Sequence, residues 1–169
     1  MRMSSFAGGL GCLSFLLIAG ATQVALAAGD PLADHVRTAN ARFADIKQAI
    51  SEGYTPIPCA DDTMGGSMGV HYVSMDQIKT DTVDIKKPQA ILYEPEADGS
   101  LKLMAVEYFT TKGPTDLMGH LFNYMGTPNR WGLPAEFELY VWAWKKNPAG
   151  DNADFNMDAS CAATVPPAK

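Results

Sequence analysis

The first periodic stretch of the chain, from residue 31 to residue 52, has the pattern of an amphipathic helix. Asp30 is a favourable N-cap residue, Pro31 suits the first helical position, and Gly53 and Pro56 end the pattern. The apolar residues recur at alternating spacings of four and three and therefore share one helix face: Leu32, Val36, Ala39, Phe43, Ile46 and Ile50. The pattern predicts one long helix that packs on the protein's own sheet.

Four later segments have the β-branched and aromatic content of strands, namely residues 69–75, 89–94, 101–111 and 136–145. Asp98 and Gly99 lie between the second and the third, which predicts a hairpin there. Residues 53–68 are rich in Gly and Pro and predict an irregular loop. Residues 116–125 place Leu117, Leu121 and Tyr124 at helical spacing and predict a short helix.

Together these elements predict an α+β fold, with a long N-terminal helix packed on a curved, mostly antiparallel sheet of about four strands. A small β-barrel with a helical lid is the alternative. The sequence has neither βαβ alternation nor an internal repeat, so the doubly wound and solenoid classes are excluded.

The first 27 residues have the features of a secretory signal peptide. Arg2 supplies the positive charge, an uncharged apolar stretch follows it, and Ala25 and Ala27 are the small residues that signal peptidase accepts. The apolar run is too short and too rich in small residues for a transmembrane helix. We therefore expect cleavage after Ala27, a single domain over residues 28–169, and a periplasmic or secreted protein without a transmembrane segment.

The net charge restricts the partners that the protein can bind, and the cysteine content indicates the compartment in which it works. The chain has 13 Lys and Arg against 19 Asp and Glu, a net charge of −6, which argues against binding to nucleic acid. Cys59 and Cys161 remain after the predicted cleavage, and in an oxidising compartment their simplest state is a disulfide. A pair of metal-binding or redox thiols is the alternative, although the spacing is not that of a C-x-x-C motif.

The glycine-rich loop carries two patterns that resemble functional motifs. Residues 65–69 match G-x-S-x-G, but a strand follows the serine where a nucleophile elbow needs a helix. Met64, Met68 and His71 offer thioether and imidazole groups that suit copper, and Glu107 offers a carboxylate. These four residues are candidate ligands for copper or zinc, although methionines also fill gaps in cores.

His71 and Glu107 form the strongest polar pair in the sequence, because both lie inside predicted strands. A carboxylate between Val106 and Tyr108 is either at a wet end of the sheet or buried with a partner. Besides His71, the candidate partners are Arg130 and the phenol of Tyr140. His71, Glu107 and Tyr140 therefore predict a polar-bottomed pocket for a ligand, while a purely structural hydrogen bond is the alternative.

Aromatic residues are concentrated in the last predicted strand. Tyr140, Trp142 and Trp144 alternate there and predict one aromatic face, which is usually core and in some proteins lines a pocket.

Several short segments resemble a family of uncharacterised exported bacterial proteins. They are Gly69-Val-His-Tyr-Val73, Pro88, Leu92-Tyr-Glu-Pro95, Val106-Glu-Tyr108, Val141-Trp-Ala-Trp-Lys145, Asn147-Pro148 and Cys161. The resemblance implies no established activity. It does imply that a histidine usually precedes the Val-Trp pair, and Tyr140 stands at that position here, so a His/Glu/His metal site would lack one ligand.

The sequence thus predicts a small exported ligand-binding or structural and interaction domain. A periplasmic copper or zinc protein is the alternative, and no nucleophile–base pair or cofactor motif supports an enzyme. The sequence does not identify a small-molecule or metal ligand, and it does not set the oligomeric state.

Overall fold

A seven-stranded antiparallel sheet dominates the computed structural model, which describes residues 30–62, 65–129 and 132–163. The predicted signal peptide, Met64, Arg130 and Trp131 lie outside these residues. The helices are α1 (Pro31–Ala39), α2 (Ile46–Ser51) and α3 (Met75–Thr80), and a 3-10 turn spans Ala41–Ala44. The strands are β1 (Thr55–Pro56), β2 (Ala60–Asp61), β3 (Ser67–Val73), β4 (Ala90–Pro95), β5 (Leu101–Thr110), β6 (Asp116–Leu117), β7 (His120–Leu121), β8 (Asn123–Met125) and β9 (Glu136–Val141).

The strands of the main sheet are ordered β1-β3-β4-β5-β9-β8, with β2 also paired to β3, and β6 and β7 form a separate two-stranded hairpin. Side chains alternate between the two faces of the sheet, and both faces are covered. The helical face packs Tyr93, Tyr108 and Leu139 against Leu32 and Phe43. The opposite face carries a second core, which includes Leu92, Ala105, Tyr140 and Trp142 and which Phe155 and Ala159 cover. Residues 147–163, the C-terminal segment, therefore form the second covering layer.

The predicted fold, one long helix on about four strands, is wrong. In the described residues, three short helices accompany the seven-stranded sheet, and the longest of them, α1, has nine residues. The barrel alternative fails as well, because among the described strands β1 and β8 stand at opposite ends of the pairing order. No helix in the described residues is long and apolar enough to cross a membrane.

The predicted helix is interrupted at Asn40 and Asp45. Asn40 is completely buried, and its side-chain amide donates to the carbonyl oxygens of Val36 and Ile85 at 3.1 and 2.8 Å. Asp45 instead caps α2, since its carboxylate accepts from the backbone N–H of Lys47 at 3.0 Å. Asn and Asp favour such local bonds over helix interiors, so tertiary contacts outweigh the apolar periodicity.

Residues 116–125 form β6, β7 and β8 and contain no helix, so that prediction is also wrong. Met118 and Gly119 both have positive φ angles, 53° and 87°, and they make the tight turn between β6 and β7. The helical spacing of Leu117, Leu121 and Tyr124 was misleading, because the last two side chains are exposed. The hairpin predicted at Asp98 and Gly99 is confirmed by the antiparallel pairing of β4 with β5.

Candidate functional site

His71, Glu107 and Tyr140 come from three different strands and lie together on the face of the sheet opposite the helices. Glu107 on β5 is directly opposite Tyr140 on β9, and His71 projects from β3 on the same side. The Nε2 atom of His71 lies 3.7 Å from Oε2 of Glu107, and both side chains are completely buried. The two side chains therefore form a buried polar contact within the otherwise apolar second core.

Tyr140 connects the pair to a methionine. Its ring packs edge-on against the His71 imidazole, with 6.3 Å between the ring centroids. Its hydroxyl donates to the sulfur of Met68 at 3.8 Å. His71, Glu107, Tyr140 and Met68 therefore form one cluster, which we call the polar floor. The other predicted metal ligand, Met64, and the alternative partner Arg130 lie outside the described residues.

A cavity of about 300 Å³ lies next to the polar floor, and we call it the C-terminal pocket. It is lined by Met68, Met125, Pro128, Asn129, Glu138, Asp154 and Phe155. Met68 belongs both to the floor and to the pocket lining, so the two are in direct contact. His71, Glu107 and Tyr140 are fully buried and do not themselves line the pocket.

Strand β9 provides the acidic side of the pocket. Glu136, Glu138 and Tyr140 alternate along it and therefore project from the same face. Glu138 is only 1% exposed, and Glu136 and Glu107 are fully buried. Of these three carboxylates, Glu138 lines the pocket.

The C-terminal segment forms the outer wall of the pocket and is fixed along its length. Asn156 exchanges backbone hydrogen bonds of 3.0 Å with Ser67, and the Asn147 side chain donates to the Phe155 carbonyl at 2.9 Å. The Asn152 side chain donates to the Tyr140 carbonyl at 2.7 Å. The wall is thus attached to β3 and β9, the strands that carry the floor.

The predicted disulfide is present. Cys59 and Cys161 are bonded, with a separation of 102 residues and a Cα–Cα distance of 5.8 Å. The backbone N–H of Cys161 also donates to the Asp61 carboxylate at 3.3 Å. The bond joins the end of the C-terminal segment to the short connection between β1 and β2.

Ser67, the serine of the G-x-S-x-G match, is built into the backbone scaffold. Its hydroxyl donates to the carbonyl oxygen of Ala60 at 3.0 Å and accepts from the N–H of Gly69 at 2.8 Å. The residue is fully buried within β3. Ser67 therefore begins strand β3 and does not belong to the predicted loop, and the strand that continues from it is not the helix that a nucleophile elbow needs.

A second histidine and the predicted aromatic face lie apart from the pocket. His120 faces Asp30 at 3.2 Å and Asn152 at 2.9 Å, and the neighbouring Met118 is half exposed. The predicted aromatic face is broken, because β9 ends at Val141 and Trp144 packs with the helical face. Within the described part of the chain, no three His, Cys, Asp or Glu side chains are grouped for a metal.

Sequence reasoning missed Met125, Glu138, Asp154 and Phe155 as pocket residues. The alternation of Glu136, Glu138 and Tyr140 within an apolar strand was a signal for Glu138. Asp154 and Phe155 reach the pocket only through the path of the C-terminal segment, which has no periodic pattern to predict it.

A larger cavity of about 780 Å³ lies beside the β4–β5 hairpin and is lined by Ala44, Trp144 and residues such as Glu96, Asp98 and Lys102. Most of its hairpin residues are exposed, and none of the buried polar side chains lines it. We therefore place the candidate site at the smaller C-terminal pocket.

No family model matches the chain, and no curated protein or solved structure is significantly similar to it. Function is therefore inferred from the chemistry and geometry of the site.

Proposed function

We propose that the protein is a small exported binding protein that holds a small-molecule ligand in the C-terminal pocket. One observation carries the proposal: a cavity of ligand size is lined by Met68, whose sulfur accepts a hydrogen bond from Tyr140 of the buried polar cluster. Binding sites typically combine an apolar lining with a few fixed polar groups. Here Met68, Met125 and Phe155 give the apolar contacts, while Glu138 and Asp154 give the polar ones.

The surroundings of the pocket favour binding to a preformed site. Glu138 lies on a central stretch of β9, and Met68 lies on β3, so the sheet fixes both. Hydrogen bonds from Asn147 and Asn152 hold the opposite wall. A ligand that enters a preformed pocket loses less affinity to the ordering of the protein.

Export is the second part of the proposal. It is supported by the signal-peptide features of the first 27 residues and by the Cys59–Cys161 bond, which an oxidising compartment would maintain. We expect the mass of the protein recovered from the periplasm or medium to correspond to residues 28–169 with both cysteines oxidised. A mass that retains the first 27 residues would contradict this part.

Methionine methyl NMR tests whether the pocket binds ligands. Met68 and Met125 line the pocket, whereas Met75 and Met118 are exposed elsewhere and serve as internal references. We expect some members of a fragment panel, balanced between cationic, neutral and anionic compounds, to shift the first two methyl signals saturably. The reference signals should stay in place.

A Met125→Trp variant provides the control, because the larger side chain fills the cavity from a half-buried position. Loss of the fragment-induced shifts in this variant would support the pocket as the binding site. The proposal is wrong if no fragment shifts Met68 and Met125 selectively. If copper or zinc alone shifts Met68 at stoichiometric amounts and His71→Ala removes the effect, the metal-binding alternative replaces the proposal.

A further inference from the structure

Trp144 lines two cavities that are separate from the C-terminal pocket. The larger, of about 780 Å³, lies beside the β4–β5 hairpin, and the smaller, of about 220 Å³, lies beside α1 and the start of the C-terminal segment. We call these two cavities, which have Trp144 in common, the tryptophan groove. We propose that the tryptophan groove binds a neutral saccharide chain, at a site that does not depend on the C-terminal pocket.

Trp144 offers both of the interactions that a sugar ring uses. The residue is half-buried, and its backbone N–H donates to the Met104 carbonyl oxygen at 3.0 Å. Its indole N–H makes no hydrogen bond to any other residue that the structure describes. The electron-rich face of an indole attracts the C–H groups on one side of a sugar ring, while the indole N–H can donate to a hydroxyl group.

Each cavity of the tryptophan groove contains one carboxylate and one ammonium group that are available to a ligand. These groups are Glu96 and Lys102 in the larger cavity and Asp151 and Lys146 in the smaller one. Among the described residues, none of these four side chains has a hydrogen-bond or ion-pair partner. A sugar hydroxyl both donates and accepts hydrogen bonds, so a saccharide can use both groups of a cavity. A charged ligand would meet a like charge in either cavity, which favours a neutral one.

The other charged side chains of the tryptophan groove already have partners within the protein. The pairs are Arg37 with Asp34 at 2.5 Å, Asp98 with the backbone N–H of Ser100 at 2.9 Å, and Asp30 with His120 at 3.2 Å. Glu96, Lys102, Asp151 and Lys146 are therefore the charged groups with which a ligand can pair without replacing an existing contact.

The position of Trp144 between the two cavities makes the length of the ligand important. Lys102, Lys146 and Asp151 are exposed, so each contact with them is weak. A single sugar can occupy one side of Trp144, whereas a chain of several sugars can reach both cavities. We expect a tetrasaccharide to bind at least about tenfold more tightly than a monosaccharide, because the second cavity is filled without a second loss of translational freedom.

Titration of the exported protein with glucose and with cellotetraose tests the inference. The equatorial hydroxyl groups of cellotetraose leave the C–H faces of its rings open to an indole. We expect cellotetraose to shift the indole N–H NMR signal of Trp144 saturably and to bind at least about tenfold more tightly than glucose. The methyl signals of Met68 and Met125 should not move, because these residues line the C-terminal pocket. Tetragalacturonate and the glucosamine tetramer, which carry charges of opposite sign, should both bind more weakly.

Trp144→Ala, Lys102→Ala and Lys146→Ala are the decisive variants, and calorimetry measures their binding. We expect the first to abolish cellotetraose binding and each lysine variant to weaken it at least about threefold. Lys47→Ala is the matched control, because Lys47 is exposed and lines neither cavity, and it should change nothing. If Trp144→Ala does not fold, the two lysine variants decide the question, since both lysines are exposed.

The inference is wrong if neither cellotetraose nor maltotetraose shifts the Trp144 signal. It is also wrong if a charged tetrasaccharide binds more tightly than both of them, or if the Lys102 and Lys146 variants bind cellotetraose as well as Lys47→Ala does. A sugar that shifts Met68 and Met125 but not Trp144 would place saccharide binding in the C-terminal pocket. That result would overturn this inference and support the proposed function, so the two can fail independently.

Discussion

Three buried tyrosines connect the sheet to the helices and loops that cover its helical face. The hydroxyl groups of Tyr54, Tyr93 and Tyr108 each donate a hydrogen bond of 2.8 Å to a backbone carbonyl, namely those of Pro88, Phe43 and Ile85. Burial raises the pKa of all three phenols well above the ordinary value of 10.0, because the ionised form would lose its hydration. These tyrosines therefore stay neutral in the folded protein at pH values at which they ionise in the unfolded chain.

Stability should consequently fall at alkaline pH. The unfolded state releases protons from Tyr54, Tyr93 and Tyr108 above about pH 10, while the folded state keeps them, so the stabilisation present below that pH is lost as the pH rises. Each tyrosine can remove about 1.4 kcal/mol per pH unit, or about 4 kcal/mol for the three together. Urea unfolding between about pH 8 and about pH 11 measures the slope.

Tyr108→Phe supplies the control for this pH dependence. It removes one titrating group, the hydrogen bond to the Ile85 carbonyl and the longer one accepted from the Asn40 amide at 3.4 Å, so stability at neutral pH should drop by about 1–2 kcal/mol and the alkaline slope by about a third. A slope that is unchanged in the variant, or a stability that is flat up to about pH 11, would contradict the assignment.

Individual elements differ in how well the sequence predicts them, and the helix before the sheet shows why. The capping of α1 by Asp30 and the burial of Leu32, Val36 and Phe43 follow from the apolar pattern. The interruption at Asn40 does not, because it depends on the Ile85 carbonyl, which lies 45 residues further along the chain. Local pattern predicts the buried face, while a distant backbone group decides where the helix ends.

Strand β3 requires a glycine at position 69. Gly69 has a φ angle of +82°, and a Cβ atom built there would lie 2.5 Å from both the Tyr93 carbonyl oxygen and the Met104 methyl group. The methionine can move, but the backbone carbonyl belongs to the neighbouring strand β4 and cannot. The pairing of β3 with β4, and with it the position of His71, depends on this close approach.

Gly69→Ala should therefore be strongly destabilising. Overpacking against the backbone adds to the strain of a positive φ angle, and we expect a loss of at least about 3 kcal/mol. Gly99→Ala is the matched control, since its φ angle is +84° but no atom lies within 4 Å of the added carbon. That variant should lose only about 1 kcal/mol. Equal losses in urea unfolding would show that the contact with Tyr93 does not matter.

At the scale of the whole molecule, one part of the candidate site was predictable from the sequence and the other part was not. His71, Glu107 and Tyr140 were predictable because polar groups inside apolar strands are visible in the sequence, and the disulfide was predictable from cysteine content. The outer wall with Asp154 and Phe155 was not, because residues 147–163 have no periodicity, and side-chain amides and the disulfide fix their path. The local sequence pattern thus predicts the half of the site that lies on the sheet. The other half depends on the path that the C-terminal segment takes across the sheet.

The disulfide has the largest predicted effect on the whole chain. It closes a loop of 102 residues, and in the chain-entropy model such a bond stabilises a protein by about 4–5 kcal/mol, mainly by restricting the unfolded chain. We expect the double variant Cys59→Ala, Cys161→Ala to lose stability of this order in urea unfolding. Its m-value should rise, because the open unfolded chain exposes more surface. Wild-type protein kept reduced should behave in the same way.

Because the bond acts chiefly on the unfolded chain, its loss should leave the pocket intact below the unfolding transition. The hydrogen bond from Asn152 to the Tyr140 carbonyl and the backbone hydrogen bonds between Asn156 and Ser67 continue to hold the outer wall to β9 and β3. The Met68 and Met125 methyl signals of the folded double variant should therefore match those of the wild type. If these signals shift or broaden while the protein remains folded, the disulfide also orders the wall in the native state. The pocket would then be preformed only in an oxidising compartment.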